Sequence, residues 1–180
     1  MKESDFIVRG ITNDLLARAT PIAKDLDLYN TGRNRLPDSI AYTESAVADL
    51  VLADYLKATY NPNTNFDMVF TSTSGMQVRV DNKTQILKAQ PQPRLYYEGD
   101  VLAYNVYQTA DVYAFSTVNM NYRVCTLVGW LTHKDFMTKS TLIPAGSTRP
   151  NGIVFRKPSY VIGYKDVNPM QTLKSLSEEG

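Results

Sequence analysis

The sequence predicts a single α/β domain built on a central mixed β-sheet flanked by helices. Three observations lead there. The chain of 180 residues is 43% hydrophobic, enough for one sizeable core and too short for two comfortable domains. Ala46, Val47, Leu50, Val51, Ala53 and Leu56 recur at the three-and-four spacing of a helix with one buried stripe. Downstream, short runs rich in β-branched and aromatic residues alternate with turn formers, as strands and their connections do.

Residues 1–40 read as an N-terminal segment carrying one helix, Ile11 to Ala19, which the Thr20-Pro21 step ends before the turn formers Asn30, Thr31 and Gly32. The core of the domain is expected over 41–173, with 174–180 as a tail. It opens on a helix from Glu44 to Thr59, with Thr43 as its N-cap and the NPNTN segment at Pro62 as its break. Strands are expected at Phe66 to Thr71 and Met76 to Thr84, joined by a hairpin loop from Ser72 to Gly75. In the second, Val78 and Val80 alternate with Gln77, Arg79 and Asp81, so one face is buried and the other polar. After the proline-broken QPQPR loop come strands at Val101 to Tyr107, Val112 to Val118 and Tyr122 to Leu131, the last two joined through Asn119, Met120 and Asn121. A short helix from Lys134 to Lys139, a loop from Pro144 to Gly152 and a strand from Ser159 to Tyr164 complete the order. Many of the 12 tyrosines, and Trp130 in its apolar LVGWLT setting, are expected in the core and at sheet edges, with a base-stacking surface as the rarer alternative.

Composition narrows the chemistry. Basic and acidic residues number 19 and 18, leaving a formal charge of +1, which argues against disorder and neither requires nor excludes a nucleic-acid partner. Cys125 is the lone cysteine, without a thiol partner for a disulfide or a zinc site, and a reducing compartment fits it. A Ser/His/Asp or Cys/His triad would have to be built on His133, which sits in a strand-to-helix connection and reads as a surface residue. Acidic residues interrupt the N-terminal MKESDFIVRG, and no stretch approaches about 18 apolar residues, so a cytoplasmic protein without a membrane span is expected. Chemistry then rests on carboxylates and lysine.

The most suggestive group is Asp67 at the head of one strand, Asp81 and Lys83 on the next, and Glu44 on the preceding helix. Carboxylates on neighbouring strands suit a hard divalent cation, and strand alternation places Asp81 and Lys83 on one face. Asn82 points away and offers its backbone carbonyl toward a metal. A lysine beside a scissile phosphate orients water or offsets charge in the transition state. Plainer readings stand beside these: roughly one Asp/Glu-x-Lys triplet arises by chance in such a composition, Asp67 suits a turn and Glu44 a first helical turn. Gln85 and Lys88 just past the triplet, and Arg149, Arg156 and Lys157 around the proline-glycine loop, are candidate phosphate contacts or ordinary surface residues.

The order helix Glu44, FD at Asp67, hairpin, then VRVDNK through Lys83 resembles the PD-(D/E)XK nuclease superfamily, of restriction-endonuclease-like fold. ADVYAFSTVNMNYRVCTLVGWLTHKDF and PSYVIGYKDVNPMQTL are similar to the tail of small phage and bacterial nuclease-like proteins of that superfamily. The similarity spans Tyr42 to Leu173. Phe66 stands where the pattern has proline, and Asp81 where glutamate is commoner. The resemblance implies that Asp67 and Asp81 bind magnesium, or manganese in its place, that Lys83 assists the water, and that Glu44 joins the metal shell directly or through water. It implies a nuclease acting on DNA in a bacterial or phage-infected cell, with a homo-oligomer compatible. The rival expectations are an inactive nuclease-fold protein that binds DNA or a protein, and a structural phage component.

Overall fold

The structure, a computed structural model, describes residues 1–29, 39–61, 65–149, 152 and 154–177. It opens with strand β1 (Ile7–Gly10) and two long helices, α1 (Asn13–Tyr29) and α2 (Ser39–Leu56). Strands β2 (Thr59–Tyr60), β3 (Met68–Thr71), β4 (Gln77–Ile86) and β5 (Glu98–Leu102) follow. Then come β6 (Val112–Asn119), β7 (Val124–Thr132), helix α3 (His133–Lys139) and β8 (Thr141–Ile143). The chain closes with β9 (Ser159–Gly163), β10 (Asn168–Pro169) and a short 3-10 helix, Met170–Ser175.

Among the described residues the main sheet has seven strands in the order β1-β7-β6-β4-β3-β2, with β10 also paired to β7. It is mixed, because β4 and β6 run parallel with Asp81 opposite Tyr113, while β3 and β4 form an antiparallel hairpin with Met68 opposite Val80. Gly75 turns that hairpin at a φ of 87°, a backbone region open to glycine at little cost. Helices α1 and α2 pack on one face: Leu15, Ala19, Val47 and Val51 share a core with Met68, Val78, Val80 and Val112. A three-stranded sheet, β5-β9-β8, and α3 belong to a second core on the opposite face, where Val101, Phe136, Ile162 and Tyr164 meet Tyr113 and Phe115. The strands expected at Val101 and Ser159 thus form a second sheet beside α3 instead of joining the central one.

Several boundaries also move. The first helix does not stop at Thr20-Pro21 but runs through to Tyr29. Its buried stripe Leu15, Ala19, Ala23 continues past an exposed Pro21, and the Thr20 hydroxyl donates to Leu16 O at 2.8 Å, so packing outweighs the missing N–H. The second helix starts at Ser39, which leaves Thr43 inside it rather than at its cap. The strand expected through Tyr107 ends at Leu102 and becomes a 3-10 turn, Ala103–Asn105. The breaks expected at Asn30 to Gly32 and at Pro62, and Pro150 and Asn151 of the long loop, lie outside the described residues. The β6–β7 hairpin, α3 and β9 fall where the sequence places them, to within two residues.

Trp130 is a core residue as expected, its indole N–H shared between Pro169 O at 3.1 Å and Thr172 Oγ1 at 3.0 Å. Gly129 beside it has no side chain because a Cβ there would overlap the backbone of Asn168 and the Val167 side chain. Cys125 is fully buried, and burial pushes its thiol up to about 12, so it packs as an apolar group. His133 is half-buried rather than free on the surface, with Nε2 at 2.8 Å from Val106 O. No helix among the described residues is long and apolar enough to cross a membrane.

Candidate functional site

The site forms where β3 begins against the middle of β4. Asp67 N–H donates to Val80 O at 2.9 Å, continuing the ladder, and its carboxylate Oδ2 then accepts the N–H of Asn82 at 2.7 Å. A side-chain oxygen thus occupies the place of the next strand carbonyl. This gives Asp67 a structural task and anchors it beside β4.

Alternation along β4 sends its side chains two ways. Val78, Val80 and Asn82 face the helices, and the Asn82 amide donates to Asp49 Oδ1 of α2 at 2.8 Å while its Oδ1 accepts from Ser116 Oγ of β6 at 2.9 Å. Asp81 and Lys83 share the other face, with Lys83 Nζ 2.5 Å from Asp81 Oδ2 and 5.8 Å from the centroid of the Tyr113 ring. Asp81 is only 5% exposed, and the ion pair lacks the alignment of a hydrogen bond: Oδ2 is a buried oxygen without a hydrogen-bond donor. The Asn82 backbone group turned toward Asp67 is its N–H.

Electrostatics tie these residues together. Burial, then the like charges of Asp49 and Asp81, raise the Asp67 carboxyl well above the usual range against the opposing pull of Lys83 and the Asn82 N–H. Burial likewise pushes Asp49 up to about 7, with Asp81 adding to the shift and Asn82, Lys83 and Tyr60 opposing it. Lys83 is ion-paired to Asp81 alone and acts on Asp49 and Asp67 from farther away, so burial keeps these two acids holding their protons more tightly than usual.

Of the expected residues, Asp67, Asp81 and Lys83 come within mutual electrostatic reach. Glu44 is buried on α2, but the acid of that helix coupled to Asp67 is Asp49. A signal for Asp49 was available, since it is the one charge inside the apolar run Ala46–Ala53. Ser116 carried no comparable signal. Gln85 turns inward and accepts from the Tyr164 hydroxyl at 3.0 Å, whereas Lys88 is exposed beyond β4. Arg149 is a strut, bonded to Asp100 Oδ1 at 2.6 Å and stacked 4.5 Å over the Phe155 ring. It lines a cleft of about 600 Å³ on the small sheet, with Glu98, Lys139, Lys165 and Asp166, and none of the clustered acids borders that cleft. Arg156 and Lys157 are exposed.

The donor set suits a hard cation in kind. Carboxylate oxygens are magnesium ligands, the buried Asp81 Oδ2 accepts no hydrogen bond beside its ion pair with Lys83, and magnesium takes one or two carboxylates with water completing its shell. Among the described residues no group of three or more His, Cys, Asp and Glu is placed to hold one ion together. In comparisons with known protein families and with curated proteins, nothing matches the chain.

Proposed function

We propose that this protein is a metal-dependent nuclease of restriction-endonuclease-like fold that hydrolyses phosphodiester bonds, with DNA as its substrate. One observation carries the reading: the Asp67 carboxylate is bonded to the β4 backbone at Asn82, directly beside the buried Asp81, whose Oδ2 stands 2.5 Å from Lys83 Nζ, so two acids on paired strands sit beside one amine. Asp67 and Asp81 would hold magnesium, with manganese as a substitute, and Asp49 would reach it through water. When bound, the ion supplies a hydroxide-like water and neutralises phosphate oxygens. Lys83 orients a phosphate oxygen beside Asp81, and its ammonium offsets charge as the bond breaks. Asn82 holds Asp49 and Ser116 in place around the group. The helix-hairpin-parallel strand order supports the same reading, with Asp67 and the Asp81–Lys83 strand paired.

A second reading has its own observation. With Asp49 pushed up to about 7 and Asp67 raised well above its usual range, protons rather than a cation can neutralise the cluster. The protein would then be an inactive nuclease-fold protein that binds DNA or another protein. Calorimetric titration with magnesium and manganese, paired with digestion of plasmid and oligonucleotide substrates, separates the two. The nuclease predicts metal-dependent cleavage, abolished by chelator and lowered about 100-fold or more in Lys83→Met or Asp81→Asn. Absence of both metal uptake and cleavage at neutral pH rejects it in favour of the second.

A further inference from the structure

The connection between β5 and β6 carries two tyrosines that the cores leave outside. Tyr104 and Tyr107 are 46% and 87% exposed. They lie three residues apart in the 3-10 turn at Ala103–Asn105 and its extension, where Gln108 N–H donates to Asn105 O at 3.1 Å. Both rings are thus presented from one short exposed turn.

The backbone beneath them is pinned. Asn105 and Val106 are buried, His133 Nε2 meets Val106 O at 2.8 Å, and Ala103 N–H donates to Pro158 O at 3.0 Å. That last bond brings the exposed Lys157 alongside, its Nζ 5.1 Å from the Tyr104 ring centroid, with the exposed Arg156 next to it in the chain. Asp111, the acid that follows the turn, is taken up by Arg79 through contacts of 2.6, 2.9 and 3.0 Å. The surface is therefore aromatic and cationic. From it the chain enters β6, whose Tyr113 lies in register with Asp81.

We propose that Tyr104 and Tyr107 form a stacking platform for unpaired bases of a single-stranded nucleic acid whose phosphates run along Arg156 and Lys157. Rigid exposed rings flanked by cations are how proteins hold single strands without reading sequence, because every base has a face to stack. The inference rests on the nuclease reading in taking nucleic acid as the ligand and adds that the strand delivered toward Asp81 is unpaired.

The test is fluorescence anisotropy with labelled oligo-dT and a matched hairpin duplex, in chelator so that nothing is cut. Oligo-dT should bind more tightly than duplex and weaken with salt. Tyr104→Ala with Tyr107→Ala should reduce oligo-dT affinity about tenfold or more, the double phenylalanine variant should restore it, and the melting temperature should not move. Lys157→Glu should weaken binding and flatten its salt dependence. Unchanged affinity in the alanine variant, preference for duplex, or no binding of oligo-dT overturns the platform. Altered sedimentation of the alanine variant without any oligonucleotide effect assigns the rings to protein contact and also overturns it. Wild-type protein that binds but does not cut sinks the nuclease reading alone, and one that cuts with binding indifferent to both tyrosines sinks the platform alone.

Discussion

Asn82 donates its side-chain N–H to Asp49 Oδ1 at 2.8 Å, tying the middle of β4 to α2 across the helix–sheet interface. Both groups are buried, and Ser116 Oγ completes the chain by donating to Asn82 Oδ1 at 2.9 Å. Removing the amide strands an acceptor and a hydroxyl together. Asn82→Ala should lower the unfolding free energy by about 2–3 kcal/mol, and Ser116→Ala by about 1 kcal/mol. Urea denaturation measures both, and a cost no larger for Asn82→Ala than for Ser116→Ala would show that the bridge does not join the layers.

The same aspartate makes stability depend on pH. Asp49 rises from an ordinary 3.8 to about 7, chiefly through burial, so the folded chain holds the proton more tightly than the unfolded one. Its contribution to stability is full below the unfolded value and is lost as pH climbs through the folded value. Asp67 shifts the same way. Asp111 runs opposite, since the Arg79 bonds outweigh its burial and lower it, so its contribution fades at more acid pH, outside this window. In chelator, the urea midpoint should fall between about pH 5 and about pH 8, and Asp49→Asn should flatten the slope. A midpoint that climbs across that window contradicts the assignment.

Pro21 lies inside α1 with its ring exposed. It supplies no N–H to the helix and crowds the preceding turn. Pro21→Ala should stabilise the protein by about 1–3 kcal/mol, seen as a higher melting temperature. A decrease would mean that the proline itself is needed to seat Leu15, Ala19 and Ala23.

The C-terminal segment is held through Trp130, whose N–H serves both Pro169 O and Thr172 Oγ1. Trp130→Phe keeps most of the apolar contact and removes the donor. The expected cost is about 1–2 kcal/mol, with faster amide exchange over the 3-10 helix Met170–Ser175 as the local readout. Exchange that accelerates equally across β6 and β7 would point to a packing defect instead.

Much of this molecule is legible in one dimension. The apolar stripe of α2, the alternation in β4 and the β6–β7 hairpin depend on neighbours three, four or two residues away, and periodicity reports such neighbours directly. Asp67, Asp81 and Lys83 were legible for the same reason, as acids and an amine on two strands joined by a short hairpin. The proline in α1 misled because local preference was outweighed by burial on both sides of it. The turn at Tyr104 misled because aromatic residues fit strands and exposed turns alike.

By itself, the sequence determined that the domain is α/β and that acids and a lysine lie together at a hairpin. Only the tertiary structure decided that Asp49 joins them, that Asn82 faces the helix while Asp81 faces Tyr113, and that a second sheet covers the far side. The reason is physical: which charges share a buried volume depends on contacts between residues tens of positions apart, and burial, which sets their proton affinity, exists only once the layers have closed.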